Sequence, residues 1–151
     1  MIVNTDLLLA YGASIREAVK GEIIYREDEA ALFYFQLIKG RVKWMHIDEE
    51  GKEFIHDIAE TGESFGEGPL FDGDFYDATA VAEESSTLIR LKLPAFQQLL
   101  YDHPDIHFAF TRLLSSRLHF KLLLVKMLAN CNPEYRLISL LNYLMQHKKN
   151  V

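Results

Sequence analysis

Residues 65–80 read FGEGPLFDGDFYDATA, and no other stretch of the chain gathers so many residue types able to hold a small polar ligand. A glycine-bearing turn running into a short helix presents backbone N–H groups, which suit an anion or a sugar phosphate. Glu67, at the start of that turn, has the acceptor oxygens to take hydrogen bonds from sugar hydroxyls. A loop that merely joins two strands would also carry glycine, proline and aspartate.

The remaining candidates point away from chemistry. His103 and His107 stand four apart, a spacing that suits a metal on one helix face. Pro104 lies between them and begins a new helix, which breaks that geometry, so no metal site is assigned. Cys131 is the single cysteine; it excludes a disulfide framework or a four-cysteine cluster and reads as a small buried or boundary residue. No nucleophile-elbow, Walker or zinc-hydrolase motif occurs, so neither an enzyme nor a cofactor is expected. Phe33-Tyr34-Phe35 reads as strand core with one outward ring, not as a base-stacking platform.

The elements that must position the loop divide near Leu93. Before it, short apolar runs alternate with glycine and acidic turns, the pattern of an antiparallel sandwich or barrel. A short helix capped by Asn4 or Thr5 opens the chain. Two short strands flank Lys20-Gly21, and residues 31–38 and 41–47 read as a hairpin about Lys39-Gly40. In the second of those strands Val42, Trp44 and His46 share one face, and Arg41, Lys43, Met45 and Ile47 the other. The turn Asp48-Glu49-Glu50-Gly51-Lys52 leads to a strand at 53–59, and two more strands fall at 77–82 and 86–92, linked by Glu83-Glu84-Ser85.

After Leu93, Pro94 opens a short helix and Pro104 a long one. Leu113, Leu114, Leu118, Phe120, Leu122, Leu123, Leu124, Val125, Met127 and Leu128 cover nearly every face of the long helix. A helix apolar all round must be covered on more than one side, and a second copy of itself is the simplest cover. Phe110, Leu114, Leu118, Leu124 and Leu128 are the expected seam of this homodimer. Asn132-Pro133-Glu134 begins a final helix, and Lys148 and Lys149 suit its C-terminal dipole.

Composition sets the outer bounds. The 151 residues suffice for one domain; 49% are hydrophobic and 25% charged, which argues against disorder. No apolar run approaches a bilayer span and no signal peptide is apparent, so the expected location is the cytoplasm, away from membranes. With 16 basic against 22 acidic residues the net charge is −6, which speaks against nucleic-acid binding by these residues alone.

Taken together, Leu32 to Trp44 (LFYFQLIKGRVKW), Glu50-Gly51-Lys52-Glu53, Thr61-Gly62-Glu63-Ser64-Phe65-Gly66-Glu67 and the helices after Pro94 resemble the cyclic-nucleotide-binding sensor domain of Crp/Fnr-type bacterial transcription regulators. The resemblance runs over essentially the entire chain. It implies a mainly β fold with a C-terminal α part: a double-stranded β-helix, or jelly-roll-like β-roll, over residues 1–103, then a long dimerisation helix and a final helix over 104–151. It also implies a phosphate-binding cassette in the loop. In cyclic-AMP binders of that family the motif's Glu holds the ribose 2′-hydroxyl, backbone amides hold the phosphate, and an Arg seven residues beyond the cassette's Leu neutralises it. Gly66 and Glu67 match the Gly-Glu, and the site the resemblance implies takes in Gly66, Glu67, Gly68, Leu70, Asp77, Ala78 and Thr79. Counting from Leu70, the arginine position falls on Asp77, or on Tyr76 or Ala78 with a slip of one, and residues 65–89 hold no Lys or Arg.

The expected function is therefore effector sensing and dimerisation without tight cyclic-AMP binding, with a small-molecule effector of another kind. DNA would be reached only through a helix-turn-helix domain, for which the chain leaves no room before Val151. The competing expectation is a stand-alone structural or protein-interaction dimer that takes no ligand.

Overall fold

The computed structural model describes residues 2–48, 50–129 and 132–147. Glu49 of the acidic turn, Cys131, Lys148, Lys149 and Val151 lie outside the described residues.

The first helix, α1 (Thr5–Ala10), starts where its cap demands: the Asn4 side-chain oxygen accepts from the Asp6 amide at 2.7 Å. Eight strands follow among the described residues: β1 (Ser14–Ala18), β2 (Ile23–Tyr25), β3 (Phe33–Lys39), β4 (Val42–Ile47), β5 (Glu53–Ala59), β6 (Ser64–Phe65), β7 (Thr79–Ala82) and β8 (Ser86–Lys92). They form two four-stranded sheets, ordered β1-β8-β3-β6 and β2-β7-β4-β5, and every pairing is antiparallel. This is the β-roll the resemblance implies.

The hairpin expected about Lys39-Gly40 does not form. Strand β3 pairs with β6 and β8, whereas β4 pairs with β5 and β7 in the other sheet. Gly40 is a corner between sheets: its φ is +101°, and a Cβ there would stand 2.8 Å from the Ser86 Cα. The Arg41 amide donates to Ser86 Oγ at 3.2 Å and fastens the corner to the start of β8. Lys20-Gly21 and Glu83-Glu84-Ser85 likewise join strands of different sheets. The sequential hairpin is β4–β5, closed by Asp48, whose amide donates to the Lys52 carbonyl at 3.1 Å and whose side chain accepts from the Lys52 amide at 2.8 Å.

Alternation also fails where both faces of a sheet are covered. Trp44 and Met45 are both buried and His46 is exposed, beside a bulge at which β5 carries His56 as an extra residue. In β3, Phe35 and Tyr34 are both buried, Tyr34 against Phe96, and Phe33 is the ring left half-buried. The Tyr34 and Phe96 rings stack at 4.7 Å and 5°. The Tyr34 hydroxyl donates to Gln36 Oε1 at 2.8 Å, and Gln36 Nε2 donates to the Val3 carbonyl at 3.0 Å, so the chain's first residues help close this face.

Phe96 belongs to α3 (Leu93–Asp102), with Pro94 in its first turn; α4 (Pro104–Ala129) begins at Pro104, after His103 has left helical geometry. The chain forms two compact units, Met1–Phe108 and Ala109–Val151. Within the second, most of α4 is joined to α5 (Pro133–His147), whose first turn is capped by Asn132 accepting from the Glu134 amide at 2.9 Å. Phe120 and Tyr143 place their rings 5.0 Å apart across the two helices. Of the expected dimer seam, Phe110 is buried, Leu114 and Leu124 are half-buried, and Leu118 and Leu128 are 58% and 75% exposed.

Candidate functional site

Strand β6, two residues long, delivers the chain to Gly66. Its residues Ser64 and Phe65 pair with Gln36 and Phe35 of β3. Gly66 follows with φ +67°, and a Cβ on it would lie 2.9 Å from Cζ of Tyr25. The phenol end of Tyr25 thus takes the space that a side chain at position 66 would need. Glu67 comes next and is fully buried, at 0% exposure. A four-residue helix, α2 (Pro69–Asp72), then turns the chain. The Leu70 amide donates to the Glu67 carbonyl and the Phe71 amide to the Gly68 carbonyl, both at 3.1 Å. These two amides close the turn, and Pro69 has none to offer, so the expected row of open N–H groups is shortened.

The far half of the loop returns at Tyr76, which is buried, as are Ala78 and Thr79; Asp77 between them is exposed. The Tyr76 hydroxyl donates to the Phe33 carbonyl at 3.1 Å. Its amide donates to the Glu29 carbonyl and its carbonyl accepts from the Asp28 amide, each at 2.9 Å. The Glu27 amide donates to Thr79 Oγ1 at 3.1 Å. Loop 26–31 is thereby sewn along residues 75–79, with Ala30 and Phe75 bridged.

Tyr25 is where the two halves meet. Its ring stacks on Tyr76 with centroids 3.7 Å apart and planes 12° apart, and lies 5.6 Å from Phe35 and 6.2 Å from Phe65. Phe35 and Phe65 stack in turn at 5.5 Å. Sequence reasoning had not singled out Tyr25. Its signal was its place as the one aromatic in the short run IIY, ahead of an acidic turn.

Burial dominates the electrostatics. It pushes the Tyr25 phenol well above its ordinary range, and the neighbouring Tyr76, Glu67 and Asp77 push the same way. The Tyr34 phenol is raised by burial and then by Glu67. Tyr76 is pushed up to about 12 by burial, against the opposing effect of its bond to the Phe33 carbonyl. All three phenols are neutral at physiological pH. Asp28, Glu29, Asp72, Asp74 and Asp77 surround the loop with negative charge, while Glu27 is held by His46 Nδ1 at 2.7 Å.

Of the candidate residues, Glu67, Leu70, Ala78 and Thr79 are buried, Gly66 and Gly68 are half-buried, and Asp77 faces solvent. Among the three positions left open for the arginine, Tyr76 and Ala78 point inward and Asp77 outward. His103 and His107 diverge: His103 meets the ring of Tyr11 edge-on at 6.0 Å, and His107 stacks on Phe71 at 6.1 Å. Among the described residues no group of three or more His, Cys, Asp or Glu is placed to hold a metal ion, and no helix is long and apolar enough to cross a membrane.

A roll of two antiparallel sheets with a Gly-Glu loop leading into a short helix is matched by a known family model, that of the cyclic nucleotide-binding domain, over residues 15–103. The chain belongs to the cyclic nucleotide-binding domain family. This cyclic nucleotide-binding domain is 33% identical over 100 residues to the cAMP-activated global transcriptional regulator CRP of Pasteurella multocida, covering 66% of this chain and 47% of that protein. It is 31% identical to the same regulator of Haemophilus influenzae, covering 66% and 44%. The chain spans about half the length of these curated relatives. Among solved structures it is similar to the Thermus thermophilus catabolite activator protein, with a TM-score of 0.75 and 27% identity over 82% of this chain and 58% of that one. It also resembles the sensor domain of the transcriptional regulator DNR from Pseudomonas aeruginosa, with a TM-score of 0.66 and 32% identity over 77% of each chain.

Proposed function

We propose that this chain is the effector-sensing and dimerisation part of a Crp/Fnr-type transcription regulator and that it does not bind cyclic AMP tightly. Residues 1–103 form the sensing roll and 104–151 the helices through which two copies associate. Gly66, Glu67, Gly68, Leu70, Ala78 and Thr79 line the effector site, with Asp77 at its rim. A signal at the roll biases the helix pair, and that bias is passed to a DNA-binding domain outside these residues. The reading makes the protein a cytoplasmic regulator rather than an enzyme.

The observation that carries the reading on cyclic AMP is the charge of the loop. Residues 65–89 contain no Lys or Arg, and Asp72, Asp74 and Asp77 follow the Gly-Glu turn. A charge-assisted contact to a phosphate contributes roughly 1.5–3 kcal/mol, and carboxylates in its place add repulsion. That loss corresponds to roughly 10- to 150-fold in affinity. Isothermal titration of the chain with cyclic AMP should give no binding in the low-micromolar range; a low-micromolar or tighter Kd would overturn the reading.

A further inference from the structure

We infer that Tyr76 decides what the interior of the roll accepts: stacked on Tyr25 above Gly66, its ring fills the space between the cassette and β3 and keeps a cyclic phosphate out. This rests on the reading of the Gly66–Thr79 loop as the effector site.

Three features carry it. The centroid separation of 3.7 Å at 12° puts the Tyr25 and Tyr76 rings in van der Waals contact, with no slot between them for a ligand. Tyr25 in turn takes up the space next to Gly66 that a Cβ would otherwise fill. The stack therefore runs unbroken from the first glycine of the cassette, through Tyr25, to Tyr76.

Tyr76 is also held at three points. Its hydroxyl is bonded to the Phe33 carbonyl, and its backbone is bonded on both sides to loop 26–31, through the Glu29 carbonyl and the Asp28 amide. With its root fixed by the backbone bonds, the ring cannot swing aside without breaking the part-buried bond at its tip.

The chemistry of the walls points the same way. Phe35 and Phe65 flank Tyr25, the phenols are neutral, and the charges that act on Tyr25 are those of Glu67 and Asp77. An anion brought into these surroundings loses its hydration and meets carboxylates in exchange. An uncharged aromatic ring loses little and finds stacking partners. The space that Tyr76 fills is accordingly suited to a neutral planar ring, and the chain supplies its own.

The test removes that ring and offers it back. Thermal melts of the chain are recorded at fixed protein concentration for wild type and Tyr76→Ala, each with millimolar p-cresol, millimolar cyclic AMP or no addition. Wild type should be unmoved by either compound. Tyr76→Ala should melt roughly 10 °C lower, as for other large aromatic truncations in a core. p-Cresol, the small-molecule analogue of the tyrosine side chain, should raise the midpoint of the variant by several degrees, because a ligand of the folded state alone stabilises it; cyclic AMP should not, because the charges of Glu67 and Asp77 remain, and its stabilising the variant would overturn the part given to those charges. Should Tyr76→Ala fail to fold, recovery of its fold on refolding in millimolar p-cresol carries the same readout. A variant that melts like wild type, or one that p-cresol leaves unmoved, overturns the role given to Tyr76 while the sensor reading stands. Stabilisation of wild type by cyclic AMP overturns the exclusion of a cyclic phosphate as well.

Discussion

The hydroxyl of Tyr11 donates to the Asp102 carboxylate at 2.7 Å, joining the end of the first helix to the end of α3 across 91 residues of chain. Gln98 donates to the other oxygen of the same carboxylate at 2.9 Å. The Tyr11 bond, and next the Gln98 bond, hold Asp102 below the usual carboxylate range, and the same Tyr11–Asp102 bond raises the Tyr11 phenol. The lowered Asp102 contributes stability above its unfolded pKa and loses it as pH falls through the folded value. The raised Tyr11 contributes below its unfolded pKa and loses it as pH rises through the folded value. Wild type should therefore melt above Tyr11→Phe by a nearly constant margin between about pH 5 and pH 9, and the margin should close below about pH 4 and above about pH 10. Thermal melts of the two proteins across pH test this; a margin independent of pH would count against the bond.

Gly40 and Gly51 both have positive φ, but their surroundings differ. A Cβ at Gly40 meets the backbone of Ser86, whereas nothing lies within 4 Å of one at Gly51. Gly51→Ala should cost about 1 kcal/mol for the backbone conformation alone. Gly40→Ala should cost about 2–4 kcal/mol, since the corner must also move away from β8. Urea unfolding of the two variants gives the comparison, and equal costs would contradict the close approach at the corner.

Tyr34→Phe keeps the stack on Phe96 and removes the donor to Gln36 Oε1, which is fully buried. A buried acceptor that loses its partner costs about 1–3 kcal/mol, so this single oxygen should lower the urea midpoint measurably. Tyr34→Leu, which forfeits the stacking as well, should lower it further.

Leu118→Glu places a charge on a position that is 58% exposed in one chain and lies in the seam assigned to the partner copy. If two copies pair there, the charge is desolvated without a partner and the variant should run as a monomer or aggregate by light scattering. A wild-type-like dimer would refute the seam, and a monomeric wild type would refute the dimer.

The readable parts of the fold were those determined by neighbours in sequence. Asn4 and Asn132 cap helices by bonding amides two residues ahead, and Pro104 begins α4 through its own ring. Residues 39–42 show why the hairpin reading failed: a glycine turn between two apolar runs looks the same whether the runs pair or part. The deciding contact, Ser86 against Gly40, comes from 46 positions away. Tyr25 escaped notice for the same reason, since its partners Gly66 and Tyr76 come from distant turns. The Gly-Glu motif located the loop, but only the structure shows that, of the three positions left open for the arginine, Tyr76 and Ala78 are buried and Asp77 is exposed.

Strand β8 lies between β1 and β3, and β2 leans on β7. Strands β1 and β2 therefore have no sheet partner until residues 79–92 have been made, and β3 has only the two-residue β6. A ribosome translating this chain releases its N-terminal third with every edge unpaired, and the roll closes only as its last strand emerges. Contacts of such long range make closure slow and leave the nascent chain reliant on protection from aggregation. A nonsense mutation anywhere before Lys92 would deprive β1 and β3 together of the full strand between them, so its product would be cleared as unfolded protein and would not persist as a weakened sensor.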